Sequence, residues 1–206
     1  MQNKGMLGDN EVLREFLSGP FSDFTEKLNS ENGERWLTGF KRFLRKENPW
    51  PAGLIQAVPF DPVALLGKGW SIEEQDERSL ALNEIDLSKV SFETCLKQGE
   101  ASITGEKKLK RLKTSGHIRL DARFFLALWK NQKLIPESWK EKTNGSTTEI
   151  FFDGTVLRRP VGYRDVLYLF WRGGQWRWGY YWLDCGRAAY YPSVVLASAE
   201  NLELKT

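Results

Sequence analysis

All six tyrosines of this 206-residue chain lie between Tyr163 and Tyr191, and all six cations between Lys142 and Lys205 are arginines. Tyr, Arg and small residues together make contacts rather than bonds. A tyrosine offers a large amphipathic surface at small rotamer cost, and an arginine adds forked hydrogen bonding and stacking. Strand alternation sorts the segment further, because successive side chains on a strand face opposite sides. Over Gln175–Leu183, Trp176, Trp178, Tyr180 and Trp182 point one way and predict a core face. Gln175, Arg177, Gly179 and Tyr181 point the other way and share no packing logic. The loop 184–192 that follows is Gly, Arg, Ala and Tyr, the composition of a binding loop. Ordinary cross-strand aromatic packing with an ordinary loop explains the same residues equally well.

Other chemistry is poorly supplied. One histidine, His117, cannot build a two-His metal site and reads as a structural or surface residue. Cys95 and Cys185 are 90 residues apart with no CxxC, so a zinc knuckle is excluded and two unpaired thiols are expected. No nucleophile elbow, Gly-rich phosphate loop or paired-carboxylate motif is present. Asp153 reads as a turn residue and Asp184 as a side chain fixing the start of the loop. Arg158 and Arg159 read as a solvated strand end. The net charge of +3 does not imply nucleic acid. Lys107, Lys108, Lys110, Arg111 and Lys113 form a basic helix that could touch phosphates, but a solvated helix face accounts for them. No apolar run reaches the ~18 residues of a membrane span, and Met1–Asn10 shows no signal-peptide core. A cytoplasmic protein without a cofactor is expected.

The elements that would position the Tyr-Arg segment change character along the chain. Helices are predicted at Asn10–Phe16, from Ser22 or Asp23 to Leu28, and at Gly33–Lys46. In the last, Trp36, Leu37, Phe40, Phe43 and Leu44 form one stripe. Pro51–Trp70, with three prolines and three glycines, is an irregular connection and a candidate boundary. Ser71-Ile72-Glu73-Glu74 matches a capping box opening a short helix. Asp86 caps another through Lys97, and Gly105–Lys113 is the basic helix. Ile118–Leu120 reads as a strand, Asp121 caps a helix to Asn131, and Pro136 opens one more turn. Lys142–Thr148 reads as a linker. Beyond it, Asp153-Gly154 and Arg172-Gly173-Gly174 signal hairpins joining 149–152 to 155–158 and 166–171 to 175–183. Val166–Trp171 is apolar on both faces and predicts a central strand. Pro192–Ala197 predicts a last one. The fold class is therefore α+β: a helical support over 1–145, with a possible sub-boundary at 50–70, and a β-rich module over 146–206.

Several stretches resemble a known group. They are Ile150–Leu157, Val166-Leu-Tyr-Leu169, Trp176-x-Trp178, Trp182-Leu-Asp184 and Pro192-Ser-x-Val195-Leu-Ala-Ser198. Together they are similar to the C-terminal region of target proteins of diversity-generating retroelements, in particular those of small-genome bacteria. Upstream, Ser71–Arg78, Gly116–Asp121 and Leu134–Trp139 resemble the same group, so the likeness spans roughly residues 35–198. It implies a variable region on a C-type-lectin-like fold, rewritten from a template by an error-prone reverse transcriptase that randomises adenines. The absence of Asn between Asn144 and Asn201 agrees with rewritten Asn codons. The ending Val194–Ser198 departs from the Gly-Phe-Arg strand usual in lectin-like folds.

On this scheme the ligand-binding set is Arg177, Gly179 and Tyr181 on the strand. Arg172, Cys185, Gly186, Ala188, Tyr190 and Tyr191 join it from the loops, with Tyr163 and Asp165 as outlying members. The expectation is a non-enzymatic binding protein with an unknown protein or glycan ligand. The alternatives are a carbohydrate- or protein-binding module with fixed aromatics and a nucleic-acid-binding regulator using residues 105–113. Arg177, Tyr181, Tyr190 and Tyr191 are expected to be exposed on one surface, with Trp176, Trp178 and Trp182 buried.

Overall fold

The structure is a computed structural model that describes residues 18–31, 33–44 and 53–197. The chain divides into two compact units, one ending at Pro51 and one starting at Ala52. In the first unit, α1 (Pro20–Leu28) begins on Pro20, whose missing N–H costs nothing in a first turn. The next helix, α2 (Gly33–Leu44), packs on it through Phe24 and Phe40, with ring centroids 4.8 Å apart, and Lys27 lies over Trp36. The helix expected at Asn10–Phe16, and the end expected at Lys46, lie outside the described residues.

In the second unit the elements run β1 (Leu54–Gln56), α3 (Pro62–Leu66), β2 (Ser71–Gln75), α4 (Glu77–Leu80), β3 (Glu84–Asp86), a 3-10 turn (Leu87–Lys89) and β4 (Val90–Glu93). Next come β5 (Ser102–Thr104), α5 (Gly105–Thr114), β6 (Ile118–Arg119) and α6 (Ala122–Lys130), then 3-10 turns at Gln132–Leu134 and Glu137–Lys140. The rest is β7 (Lys142–Thr143), β8 (Ser146–Thr147), β9 (Glu149–Phe151), β10 (Thr155–Arg158), β11 (Arg164–Arg172), β12 (Gln175–Trp182), β13 (Gly186–Ala188) and β14 (Ser193–Leu196). The mixture is α+β.

The main sheet has eight strands in the order β2-β10-β11-β9-β14-β4, with β12 on the free side of β11 and β6 on β14. The strand β11 is central, as its two apolar faces predict. On one face Leu167, Leu169, Trp176, Ile150, Phe152, Leu157 and Val194 meet Phe124, Phe125 and Leu128 of α6. On the other, Phe151, Val156, Val166 and Leu183 meet Leu109 of α5.

Several expectations are corrected. No boundary falls at 145, because β2, β4 and β6 are strands of the same sheet as β9–β12 and β14. Ser71–Glu74 does not open a helix. It pairs with β10 as β2, and Glu73 and Glu74 hold Arg158, Arg164, Lys113 and Arg119. The cap is one turn later, where Asp76 accepts from the Arg78 N–H and starts α4. Asp86 caps only a 3-10 turn, after which Val90–Glu93 pairs with β14. The linker 142–148 holds a small hairpin, β7–β8.

The Asp153-Gly154 hairpin is also absent: β9 and β10 do not pair but follow one another along the same edge of β11. The dipeptide breaks one long strand. A Cβ on Gly154 would lie 2.3 Å from the Arg119 carbonyl oxygen, and the Gly154 N–H donates to the Leu120 carbonyl. Glycine stands there because another backbone passes too close for a side chain.

Candidate functional site

The site grows from the β11–β12 hairpin. Gly173 and Gly174 adopt φ of +64° and +75°, the left-handed pair that a two-residue hairpin turn requires, and Arg172 pairs with Gln175. That register sets Phe170 opposite Arg177, Tyr168 opposite Gly179 and Val166 opposite Tyr181, all on the α5 side of the sheet. Arg177 is exposed. The gap at Gly179 is filled, because a Cβ there would lie 2.8 Å from the Tyr168 ring. Tyr168 is itself stacked between Phe151 and Phe170, with centroids 5.0 and 5.5 Å away.

The loop after β12 is pinned at several points. Leu183 and Cys185 carbonyls accept the Glu106 and Gly105 N–H groups at the start of α5. A Cβ on Gly105 would sit 2.7 Å from the Leu183 oxygen, so glycine admits this contact. The strand β13 pairs with β5, setting Gly186, Arg187 and Ala188 against Thr104, Ile103 and Ser102. Tyr191 donates its N–H to the Ala188 carbonyl, and the Glu149 N–H donates to the Tyr190 carbonyl. The rings of Tyr190 and Tyr191 are 4.3 Å apart, and Tyr191 lies 5.8 Å from Tyr181. A tyrosine cluster thus continues from strand to loop.

Two buried cations support it. Arg187, 1% exposed, inserts its guanidinium between the Phe151 and Tyr181 rings, 4.4 and 4.1 Å from their centroids. Its Nη2 donates to the Tyr181 and Trp182 carbonyls. Lys108 of α5, also 1% exposed, donates from Nζ to the Tyr191 carbonyl. The two hold opposite ends of the loop from beneath. Buried Asp153 accepts from the Ser193 hydroxyl and supplies opposite charge to both cations. Burial lowers the pKa of Arg187, and it takes the Lys108 ammonium down to about 8 against the pull of Asp153.

Lys108 gives a pH prediction. Between about 8 and its ordinary 10.5 the unfolded chain keeps the lysine proton more fully than the folded one, so stability rises with pH across that window. Urea unfolding from pH 7 to 9.5 should show the wild type gaining stability relative to Lys108→Met. Parallel pH curves would contradict the assignment.

The sequence-predicted residues divide. Arg172, Arg177, Gly179, Tyr181, Tyr190 and Tyr191 belong to the α5-side face and its loop. Of the tyrosines and Arg177 expected to be exposed, only Arg177 is; Tyr181, Tyr190 and Tyr191 are half-buried. The cause is that α5 and β13 cover part of this face. Of the tryptophans expected inside, Trp176 is buried and Trp178 and Trp182 are half-buried. Trp178 packs edge-on against Phe125 and Trp129. Tyr180, expected in the core, is 40% exposed beside Trp70.

Cys185, Gly186 and Ala188 lie where the loop joins β5, Cys185 and Ala188 half-buried and Gly186 exposed. Tyr163 is apart from this face, its ring packed at a tilt against Trp182 with centroids 4.8 Å apart. Asp165 is corrected outright: it is fully buried, and both its carboxylate oxygens accept 2.6 Å hydrogen bonds from Arg159, so its charge is committed to that arginine. Arg159, expected as a solvated strand end, is held by that carboxylate against Tyr180. The basic helix is likewise not a solvated face throughout. Lys108 is buried, Lys107 and Arg111 pair with Glu100, and Lys113 pairs with Glu74. His117 is half-buried with Nδ1 3.2 Å from the Ser115 hydroxyl. Cys95 and Cys185 are free thiols.

Sequence reasoning missed Lys108, Glu149, Tyr168 and Arg187 as members of this site. A signal existed for Lys108. Gly105, Lys108, Leu109 and Leu112 are the buried positions of α5, at i, i+3, i+4 and i+7, which is one helical face. Alternation from Phe151 puts Glu149 on the tyrosine side.

No family model, curated protein or solved structure matches this chain. Among the described residues no helix is long and apolar enough to cross a membrane, and no group of three His, Cys, Asp or Glu side chains is placed to hold a metal ion.

Proposed function

We propose that this is a non-enzymatic binding protein whose recognition surface is the Tyr-Arg face of β12 and the loop 184–191, diversified by a retroelement reverse transcriptase. The C-type-lectin-like character of the variable region is part of the proposal. The observation that carries it is the division of work within one short segment. Trp176 is buried against α6 while its neighbour Arg177 projects into solvent on the opposite face, beside a tyrosine cluster anchored from below. A rigid support lets surface residues change without unfolding the scaffold.

The nucleic-acid alternative is less well served. Ion pairs to Glu100 and Glu74 already neutralise three of the basic-helix cations, leaving fewer to displace counterions from phosphates. The genome of the source tests the main proposal. A near-repeat of the codons for residues 163–193, differing at adenines and lying beside a reverse transcriptase gene, is the expected finding. A source genome lacking such a repeat would return the protein to the class of fixed binding modules.

A further inference from the structure

Among the described residues, a donor and an acceptor on the tyrosine face are left unanswered. Nε and Nη1 of Arg187 and Oε2 of Glu149 are buried without hydrogen-bond partners. Folded proteins rarely leave such groups unmade, so an unpaired buried donor and an unpaired buried acceptor within electrostatic reach of each other point to something that binds both. They belong to one place. Glu149 lies two residues before Phe151 on the same side of β9, and Phe151 carries the Arg187 guanidinium on its ring. Burial raises the Glu149 pKa, while Arg172 and Arg187 pull it down, so both cations lie within electrostatic reach of this carboxylate. Burial also raises the Tyr168 and Tyr191 hydroxyls, and the Glu149 charge adds to the effect, which puts two phenols near the same group.

We propose that Arg187 and Glu149 form a saccharide subsite. One hydroxyl of a vicinal diol accepts from Arg187, its neighbour donates to Glu149, and the C–H face of the sugar ring packs on Tyr181 and Tyr191. The inference rests on reading this face as the recognition surface and adds the class of ligand. A simple oxyanion fits less well, because it would meet the Glu149 carboxylate and leave its oxygen without a donor. A diol supplies an acceptor and a donor on adjacent carbons with no charge, and its ring supplies the apolar surface that aromatic rings cover. Since Arg187 is 1% exposed, entry requires the half-buried Tyr181 or Tyr191 ring to turn aside.

The test is a titration of the full chain followed at the arginine Nε–H resonances, with Arg187 assigned by its loss in Arg187→Lys. The probes are glucose, galactose, mannose, fucose and N-acetylglucosamine, with inorganic phosphate and N-methylacetamide as separate arms. The expected result is a saturable shift of the Arg187 signal with at least one neutral sugar, weakened about tenfold or more in Glu149→Ala by loss of a charge-assisted hydrogen bond. Glu149 is half-buried at the end of a strand, and the dispersed spectrum of Glu149→Ala verifies that it folds. A response to phosphate or the amide alone, no response to any probe, or sugar binding indifferent to Glu149→Ala would each overturn the proposal. The codon repeat tests the recognition-surface reading independently, so failure of one is distinguishable from failure of the other.

Discussion

A chain beginning at residue 146 is expected not to fold, whereas one spanning 52–206 is. The first would keep β9–β12 and β14 but lose β2 from β10, β4 and β6 from β14, and β5 from β13. It would also lose both helices that close the sheet. Phe124, Phe125 and Leu128 of α6 and Leu109 and Leu112 of α5 are each at most 1% exposed. Without them the sheet would present apolar residues to water on both sides, at roughly 25 cal/mol for each Å² uncovered. Circular dichroism and amide-proton dispersion read the outcome directly: a random-coil spectrum for 146–206 and a cooperative thermal transition for 52–206. A folded 146–206 fragment would mean that the preceding residues only support the module.

Arg119→Ala should cost about 3–5 kcal/mol, the range for breaking a buried ion pair from one side. Arg119 is 5% exposed and joins three parts of the chain. Its Nε donates to Asp76 at 3.1 Å, and its Nη1 donates to Glu74 at 3.3 Å and to the Asp153 carbonyl at 3.1 Å. Removing the guanidinium leaves Asp76, 4% exposed, with the Arg78 side chain as its one remaining cation among the described residues, and frees the backbone at the β9–β10 break. Burial raises the Asp76 pKa, but hydrogen bonds to Arg78 and Arg119 outweigh it and the net shift is downward. The stabilisation is therefore present above the ordinary value of 3.8 and lost as pH falls through the lower folded value. Denaturant unfolding at neutral pH measures the cost, and a loss under about 1 kcal/mol would place the residue with ordinary surface pairs.

The β11–β12 hairpin was the most legible part of the chain. A two-residue period and a Gly-Gly turn are local signals, and local geometry satisfies them. The Asp153-Gly154 break misled for a physical reason. Glycine there answers a long-range approach by Arg119 and Leu120, which composition cannot distinguish from a hairpin turn. The boundary expected at 145 failed similarly. Ser71–Gln75 carries no apolar alternation and was hidden as β2, whereas Ile118–Leu120 was legible as a strand but not as a member of this sheet, because the pairing partners of both lie some 80 residues away in sequence. The candidate site was legible by face and not by depth. Alternation assigns Arg177, Gly179 and Tyr181 to one side of the sheet, but the cover that α5 and β13 lay over that side is tertiary.

The measurement that bears most directly on the central claim is a proteolysis-based stability scan of every substitution over residues 163–193. At the exposed Arg172 and Arg177 most substitutions should leave stability within about 0.5 kcal/mol, the range for surface changes. At Leu167, Leu169, Trp176 and Leu183, buried to 4% exposure or less, truncation to alanine should cost about 2–5 kcal/mol. Equal intolerance in the two sets would contradict the claim that this segment separates a fixed scaffold from a surface free to vary.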